Sequence, residues 1–428
     1  LPRGALAWAL YDLGNTIYSL NVVSLFFVQW VTVDRGREDL WFSLSYSGSM
    51  LLVALSLPYL GLWSDRSGRR LTFLGVFTAV CVVATAALAW ATRVPGSVGL
   101  VYALMLFAVS NYGFQGGLVF YNSLLPQVSS ERMRGRVSGL GVALGYAGSF
   151  LGLLLVVPFV EGEVPLLGWR PPFLEPGGRS AAFVPSALLF ALFAVPLFAR
   201  VREPSRRRLP RPGWKEAWRD LLGMLRDSAR HPGLGRFLIA NFLLLEGIHT
   251  AIIFISVFAE KVVGLPDTAK ATFFMLATGP AVLGSLGAGW AVDRFGPRRV
   301  FTITAWSWVV CPILIALAPW RPVLYGTGAI IGILLGSLWT TTRPFLLSLI
   351  PPGREGRAFG LYAMSNRAAA VLGPQIWGIT VLLGSSLGPD RYRLAIVVLA
   401  LVAATGAFLL RGIPPDPGPA PDVASSES

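Results

Sequence analysis

Apolar residues run in stretches of about 20 along almost the whole chain, broken by short polar segments. About 20 apolar residues wound as a helix cross the hydrocarbon core of a bilayer. Hydropathy predicts twelve such spans, at 6–31, 41–63, 71–92, 98–122, 137–160, 181–200, 235–260, 268–291, 299–319, 323–349, 357–384 and 392–411. An even number puts both ends of the chain on one side. The ten-residue alternation of a membrane β-barrel is missing. The expected class is an all-α polytopic membrane protein.

Composition sharpens this. Of 428 residues, 54% are hydrophobic and only 14% charged, where a soluble protein carries about 25% charge. Mean hydropathy is +0.62. Net charge is +14, from 36 Lys and Arg against 22 Asp and Glu. Placement explains that excess: 24 of the 36 cations fall in the ends and loops of one side, as the positive-inside rule requires of the cytoplasmic face. Nucleic acid is not the expected partner. Cys81 and Cys311 lie inside apolar runs, so no disulfide framework is expected. The N-terminus carries no cleavable-signal pattern.

Two polar loops repeat. Gly61-Leu-Trp-Ser-Asp65-Arg66-Ser-Gly68-Arg69-Arg70 returns 228 positions later as Gly289-Trp-Ala-Val-Asp293-Arg294-Phe-Gly296-Pro-Arg298-Arg299. At an offset of 221, Gly135-Arg136 returns as Gly356-Arg357, Gly139 as Gly360 and Gly152 as Gly373. Pro126 and Pro351 close the preceding spans. Two parallel six-helix bundles related by an axis along the membrane normal produce this pattern. The loops resemble those between helices two and three, and eight and nine, of major facilitator superfamily transporters. That resemblance implies a gating role for Asp65, Arg66, Arg69, Asp293, Arg294 and Arg298. Each Asp would pair with a nearby Arg and face a helix N-terminus of its own half, span eleven or five, favouring one transport state through charge and helix dipole.

The expected domains are an N-terminal bundle over 1–200, a basic cytoplasmic linker over 201–233, a C-terminal bundle over 234–411 and a disordered tail over 412–428. Residues 202–212 are too basic and proline-rich to be expected to pack. The following stretch aligns Trp214, Trp218, Leu221, Leu222 and Leu225 on one helical face, which predicts an interfacial helix lying on lipid.

Charges inside spans are costly and mark function by default. Asp12 and Asn15 stand three apart in span one; Glu246 and His249 do the same in span seven, 234 positions on. The four suit proton or cation handling, or a structural hydrogen-bond network; carboxylate and imidazole are also metal ligands. Arg343 and Arg367 are the embedded cations, and each needs an anion. Asn111, Gln115 and Asn122 make one wet face of span four, lining a cavity or binding a neighbouring helix. Gly141-x-x-x-Gly145 and Gly373-Pro374 read as packing surfaces, and Trp339 with Thr340-Thr341-Thr342 as cavity wall.

Longer stretches narrow the resemblance. They are Trp8-Ala-Leu-Tyr-Asp12-Leu-Gly-Asn15, Phe120-Tyr121-Asn122-Ser-Leu-Leu-Pro126, Ser138-Gly-Leu-Gly141-x-x-x-Gly145-Tyr146, Gly336-x-x-x-x-x-x-Arg343 and Phe359-Gly360-Leu-Tyr362 with Gly373-Pro374. Together they resemble the autophagy-related vacuolar effluxer family and its bacterial relatives. The resemblance implies a small-solute exporter, amino acids first, and carries binding roles onto Asp12, Asn15, Tyr121, Asn122 and Arg343. Departures from the family pattern fall at Gly14-Asn15-Thr16 and Thr341-Thr342-Arg343-Pro344. No phosphate-binding loop supports ATP-driven transport. No Ser/His/Asp grouping supports an enzyme, and no cofactor is expected. The sequence therefore leads to a monomeric secondary transporter of the bacterial inner membrane with cytoplasmic termini. Its partners are a small-molecule substrate, membrane lipid and a proton or cation. Export of lysolipids or drugs, or of divalent metal through Asp12, Asn15, Glu246 and His249, is the alternative.

Overall fold

The computed structural model describes residues 4–164, 169–171, 175–203, 209–230, 232–263, 267–317 and 321–413. These residues are almost wholly helical. The long helices are α1 (Ala5–Asp34), α2 (Asp39–Ser67), α3 (Arg70–Ala91), α4 (Gly96–Ser123), α5 (Arg134–Glu161), α6 (Phe183–Arg200), α7 (Trp214–Arg230), α8 (Pro232–Lys261), α9 (Asp267–Phe295), α10 (Pro297–Leu317), α11 (Arg321–Ser348), α12 (Glu355–Leu383) and α13 (Asp390–Leu409). Among the described residues nine stretches have the length and apolarity to cross a membrane. Parts of α8, α9 and α12 carry side chains outside the described set, as do Leu221 and Leu225 of α7.

Each helix has one face for protein and one for lipid. On α3, Leu74, Thr78, Cys81, Thr85 and Leu88 are buried, while Val76, Val83 and Trp90, seven apart, are 58–66% exposed. Large apolar side chains left open at heptad intervals are costly in water and at home in hydrocarbon. On α6, Leu188, Leu192 and Val195 do the same.

The chain gathers into two compact units. Unit one holds Leu1–Val128, Leu140–Gly223 and Pro352–Arg367; unit two holds Ser129–Gly139, Met224–Pro351 and Ala368–Ser428. The first turns of α5 thus group with unit two, and those of α12 with unit one.

In unit one, α5 lies against α1 along Gly141, Gly145, Gly148 and Gly152. A Cβ at Gly148 would stand 2.5 Å from the Leu13 carbonyl oxygen, and one at Gly145 3.0 Å from Thr16 Oγ1. Small residues at these intervals let two backbones meet, which is how helices associate where lipid offers no hydrophobic drive. Gly113 does the same for α4 on α3, 2.8 Å from Cys81 N. Polar groups are tied between helices: Tyr18 and Thr85 meet the Ser110 hydroxyl at 2.7 and 2.6 Å, and Asn111 Nδ2 donates to Ser49 Oγ at 2.7 Å. Asn111 therefore binds a neighbouring helix. In unit two, Phe258, Ile315, Trp377, Tyr392, Ile396 and Leu399 form a buried cluster. Cys81 and Cys311 are free and buried.

Residues 201–203 and 209–213 correct the expectation that this basic stretch does not pack. Val201 and Pro212 are buried, Glu203 accepts the Leu71 amide at 2.9 Å, and Leu209 N donates to Arg66 O. Arg211 lies 4.3 Å over the Trp63 ring. A guanidinium is flat and weakly hydrated, so an aromatic face binds it even in a basic segment. Residues 204–208, His231 and the tail from 414 on lie outside the described residues.

Gly148→Ala is expected to lower thermal stability in detergent by about 1–3 kcal/mol, since backbone cannot move aside. Gly48→Ala on α2, where a Cβ meets nothing within 4 Å, is expected to be neutral or to stabilise by up to about 1 kcal/mol. Equal melting temperatures for the two variants would contradict the packing argument.

Candidate functional site: two carboxylate caps and the polar helix centres

The duplicated loop motif has a physical reading at every fixed position. Gly68 and Gly296 stand three residues after the aspartates with φ of 65° and 85°. They end α2 and α9 in the left-handed region, where a Cβ would be strained. Their amides close on Ser64 O and Val292 O at 3.0 and 2.9 Å. Asp65 and Asp293 are thereby held in the last turns of their helices.

Each aspartate caps a distant helix. Asp65 Oδ1 and Oδ2 accept the amides of Gly356 and Arg357 at 3.0 and 3.1 Å. Asp293 Oδ1 and Oδ2 accept those of Gly135 and Arg136 at 2.7 and 3.0 Å. One carboxylate thus satisfies two open amides at the positive end of α12 or α5. The glycines four residues earlier make this approach feasible. A Cβ at Gly61 would be 3.0 Å from Gly356 O, and one at Gly289 2.6 Å from Gly135 O. The helix starts need glycine too: a Cβ at Gly356 or Gly135 would stand 2.9 or 2.7 Å from the capping Oδ1.

The expectation that each aspartate meets a helix of its own half is corrected. Asp65 reaches a helix start some 290 positions on, and Asp293 one some 157 positions back. The reason is reach: a carboxylate spans two adjacent amides only where backbones touch, and the glycines permit that contact at the exchanged helix starts.

The cations also differ from expectation. Arg70, not Arg66 or Arg69, is buried on Asp65 at 2.9 Å, and it also meets Glu355 at 2.6 Å. Arg357 lies 3.4 Å from Asp65 and 2.7 Å from Asp220 of α7. Arg66 pairs with Glu216 of α7, and Arg69 is exposed. In the second copy Asp293 has Arg136 at 3.5 Å, half-exposed. Arg294 lies over Trp290 and Phe295, and Arg298 donates to Arg411 O. At the repeat offset Arg134 stands where Glu355 stands. Burial pushes the Asp65 carboxyl up despite Arg70 and the two amides, and burial likewise raises Asp293. Burial is the largest influence on Glu355 and acts to raise it, but the attraction of Arg70, backbone hydrogen bonds at Glu355 and Gly353 and the hydrogen bond from Arg70 together outweigh it and hold the carboxyl below its usual value. Glu355 is therefore the firmer counter-ion of Arg70. Arg70, Glu355, Arg357, Gly135 and Arg136 were not among the expected gating residues; the 221-residue repeat of Gly-Arg was the available signal.

The family-like stretches of the first half converge in unit one. The Trp8 ring stacks on Tyr121 at 4.4 Å between centroids, Tyr11 stacks on it at 5.0 Å, and Trp8 Nε1 donates to Tyr121 O at 3.0 Å. Asp12 is 6% exposed and Asn15 5%. A Cβ at Gly141 would stand 3.2 Å from Asp12 Oδ2. Asn122 is half-buried beside them in sequence.

In unit two, Glu246 is 1% and Thr250 0% exposed at the middle of α8. His249 stacks on Trp339 at 6.1 Å. Thr341 and Thr342 return their hydroxyls to Ser337 O and Leu338 O of their own helix, so they do not offer donors to a cavity. Ser138 Oγ donates to Thr340 O at 2.8 Å. Arg343 is half-buried, and the Arg367 side chain lies outside the described residues. Among the described residues no three His, Cys, Asp or Glu side chains gather to hold a metal.

Comparison with known proteins places this geometry. The human organic anion transporter MFSD10 superposes over 95% of this chain and 98% of its own with a TM-score of 0.69 at 18% identity. A bacterial homologue of the iron transporter ferroportin, in an outward-facing state, superposes over 96% and 98% with a TM-score of 0.72 at 13% identity. The fold is that of the major facilitator superfamily, and the protein is a transporter of that class rather than an enzyme. The profile described as "Vacuole effluxer Atg22 like" matches residues 41–413, and the chain belongs to that family. Relatives include the MFS-type transporter YxiO of Bacillus subtilis, 22% identical over 95% of this chain and 94% of its own. Autophagy-related protein 22-1 of Aspergillus niger is 26% identical over 62% of this chain and 45% of its own. The chain thus spans about half the length of that fungal relative.

Asp65→Asn is expected to cost about 1.5–3 kcal/mol, because buried Arg70 loses one of its two carboxylate partners and keeps Glu355. Asp293→Asn strands only half-exposed Arg136, and its ion-pair loss should be at most about 1 kcal/mol. Thermal unfolding of both variants in detergent checks the order, which a larger loss at Asp293 would reverse.

Proposed function

We propose that this protein exports a small zwitterion, amino acids first, across the bacterial inner membrane, driven by a proton or cation gradient. Both termini are cytoplasmic and the working unit is a monomer. The observation that carries the reading is the pair of buried carboxylates at repeat-related places, Asp12 and Glu246. An ionised carboxylate in a dry helix bundle is costly unless a cation meets it. At Glu246, whose carboxylate oxygens meet no hydrogen-bond partner among the described residues, a proton or the ammonium of a solute supplies that charge in turn. Arg343 and Arg367 supply the opposite charge for a carboxylate, with Asn15, Tyr121, Asn122 and His249 as polar and aromatic contacts.

The carboxylate caps suit the gating part of the cycle. Each change of state would require Asp65 or Asp293 to release two amides, and such a step is discrete rather than gradual. The more heavily paired cap at Asp65 would hold longer. The outer cations Arg66, Arg69, Arg294 and Arg298 set the local field.

Ligand-induced thermal stabilisation tests the substrate class, because a ligand bound to the folded state raises the melting temperature. The panel is amino acids, short peptides, lysophospholipids and divalent metals at two pH values. Amino acids are expected to give the shift. Asp12→Asn and Arg367→Ala are expected to abolish amino-acid counterflow in proteoliposomes while eluting and melting as folded proteins. Wild-type counterflow in either variant, or stabilisation by metals or lysolipids alone, would overturn this function.

A further inference from the structure

The repeat pairs Gly152 with Gly373, at the same offset that pairs the two Gly-Arg helix starts. In each unit this glycine faces polar groups at the centre of a long helix. In unit one, a Cβ at Gly152 would stand 3.1 Å from Asn21 Nδ2. In unit two, a Cβ at Gly373 would run into Thr250 Oγ1 and stand 2.8 Å from Glu246 Oε2. Asn21, Thr250 and Glu246 are at most 1% exposed. Neither amide atom of Asn21, neither carboxylate oxygen of Glu246, nor the Thr250 hydroxyl has a hydrogen-bond partner among the described residues.

A buried polar group without a partner is strongly unfavourable, and native proteins nearly always satisfy such groups. Among the described residues several buried polar atoms are exceptions, and two groups of them stand at repeat-related glycines, on helices of different halves. Asn21 has a further mark: it sits in a π-helical segment, Ser19–Phe26, the first of two in α1, the other being Trp30–Asp34. Single π-turns within helices are frequent at functional sites, because they re-aim side chains and free backbone groups. Packing alone gives no reason for an amide here; Leu would fill the space without the penalty.

We infer that Asn21, aimed into the Gly152 notch, is a binding residue for the transported solute. The atom nearest Gly152 is Nδ2, a donor, so Asn21 offers its hydrogen bond to an acceptor oxygen of the solute, such as one from a carboxylate or amide. The groups beside Gly373 are a carboxyl and a hydroxyl, which suit a donor such as an ammonium group, or a proton. The chemistry of the solute follows the zwitterion reading above and rests on it; the role of Asn21 as a solute contact does not. Sequence reasoning passed over Asn21 because it lacks a charge and has no polar counterpart 234 positions on, where Ile255 stands.

The test has two arms. In a Cys81→Ala, Cys311→Ala background, Asn21→Cys is reconstituted in proteoliposomes and treated with a membrane-impermeant trimethylammonium methanethiosulfonate. A residue that meets solute must meet water during the cycle, so one adduct per chain is expected by mass spectrometry. No adduct, under conditions that label Ser97→Cys at the exposed start of α4 fully, would overturn the inference. In the second arm, Asn21→Leu is expected to melt at or above the wild-type temperature without ligand. It should lose about tenfold in affinity for whichever compound of the panel stabilises the wild type, as befits one buried hydrogen bond. Unchanged affinity in Asn21→Leu would overturn the inference. If lysolipid or metal is what stabilises the wild type, the zwitterion reading falls, and the Asn21 arms still decide this one.

Discussion

A carboxylate that caps two adjacent backbone amides organises this molecule, and it does so twice. An isolated helix N-terminus carries open donors and a partial positive charge. Water normally satisfies both. Here Asp65 and Asp293 do so instead, from helices remote in sequence, at places where glycine lets backbones touch. Charge and close packing are inseparable in this contact. Without Gly61 or Gly289 the carboxylate could not reach, and without the carboxylate the helix start would remain unsatisfied.

The two caps are built alike and charged differently. Around Asp65 a buried network joins Arg70, Glu355 and Arg357, and Asp220 and Glu216 of the linker helix extend it. Asp293 has half-exposed Arg136 beside it, and Arg134 stands at the repeat position of Glu355. Duplication therefore conserved the hydrogen-bond geometry while the ion pairs diverged. The linker was expected only to lie on lipid. Its acidic residues also bind the arginines that surround the first cap, which ties residues 209–223 to the end of α2.

Glycine does a second kind of work in the helix interiors. Along Gly141, Gly145, Gly148 and Gly152 it brings α5 onto α1, and at Gly113 it brings α4 onto α3. Beside these contacts lie the aromatic stack of Trp8, Tyr11 and Tyr121 and the buried Asp12. The first-half sequence stretches that resembled one family are thus neighbours in space, held by the same small-residue surfaces. Polar groups at helix centres then divide into two sorts. Ser110, Thr85 and Asn111 are tied to other helices and hold the bundle together. Asn21, Glu246 and Thr250 are not tied among the described residues, and these are the ones to which solute chemistry has been assigned.

The amino-acid sequence by itself determined the class of protein. Runs of apolar residues, one-sided basic loops and two repeat offsets lead directly to a duplicated helical transporter, because length, hydropathy and charge placement are local properties. It also marked Asp65 and Asp293, through the glycines around them. Only the tertiary structure decided their partners. Arg70 and Arg69 are adjacent in sequence, yet one is buried on Asp65 and the other faces solvent; Arg69 is the non-helical residue before α3 and Arg70 opens the helix, so the turn between α2 and α3 selects which side chain is inside. The same holds for Asn21, an ordinary polar residue in sequence. Its lack of partners exists only once Gly152 and the walls of α1 and α5 surround it.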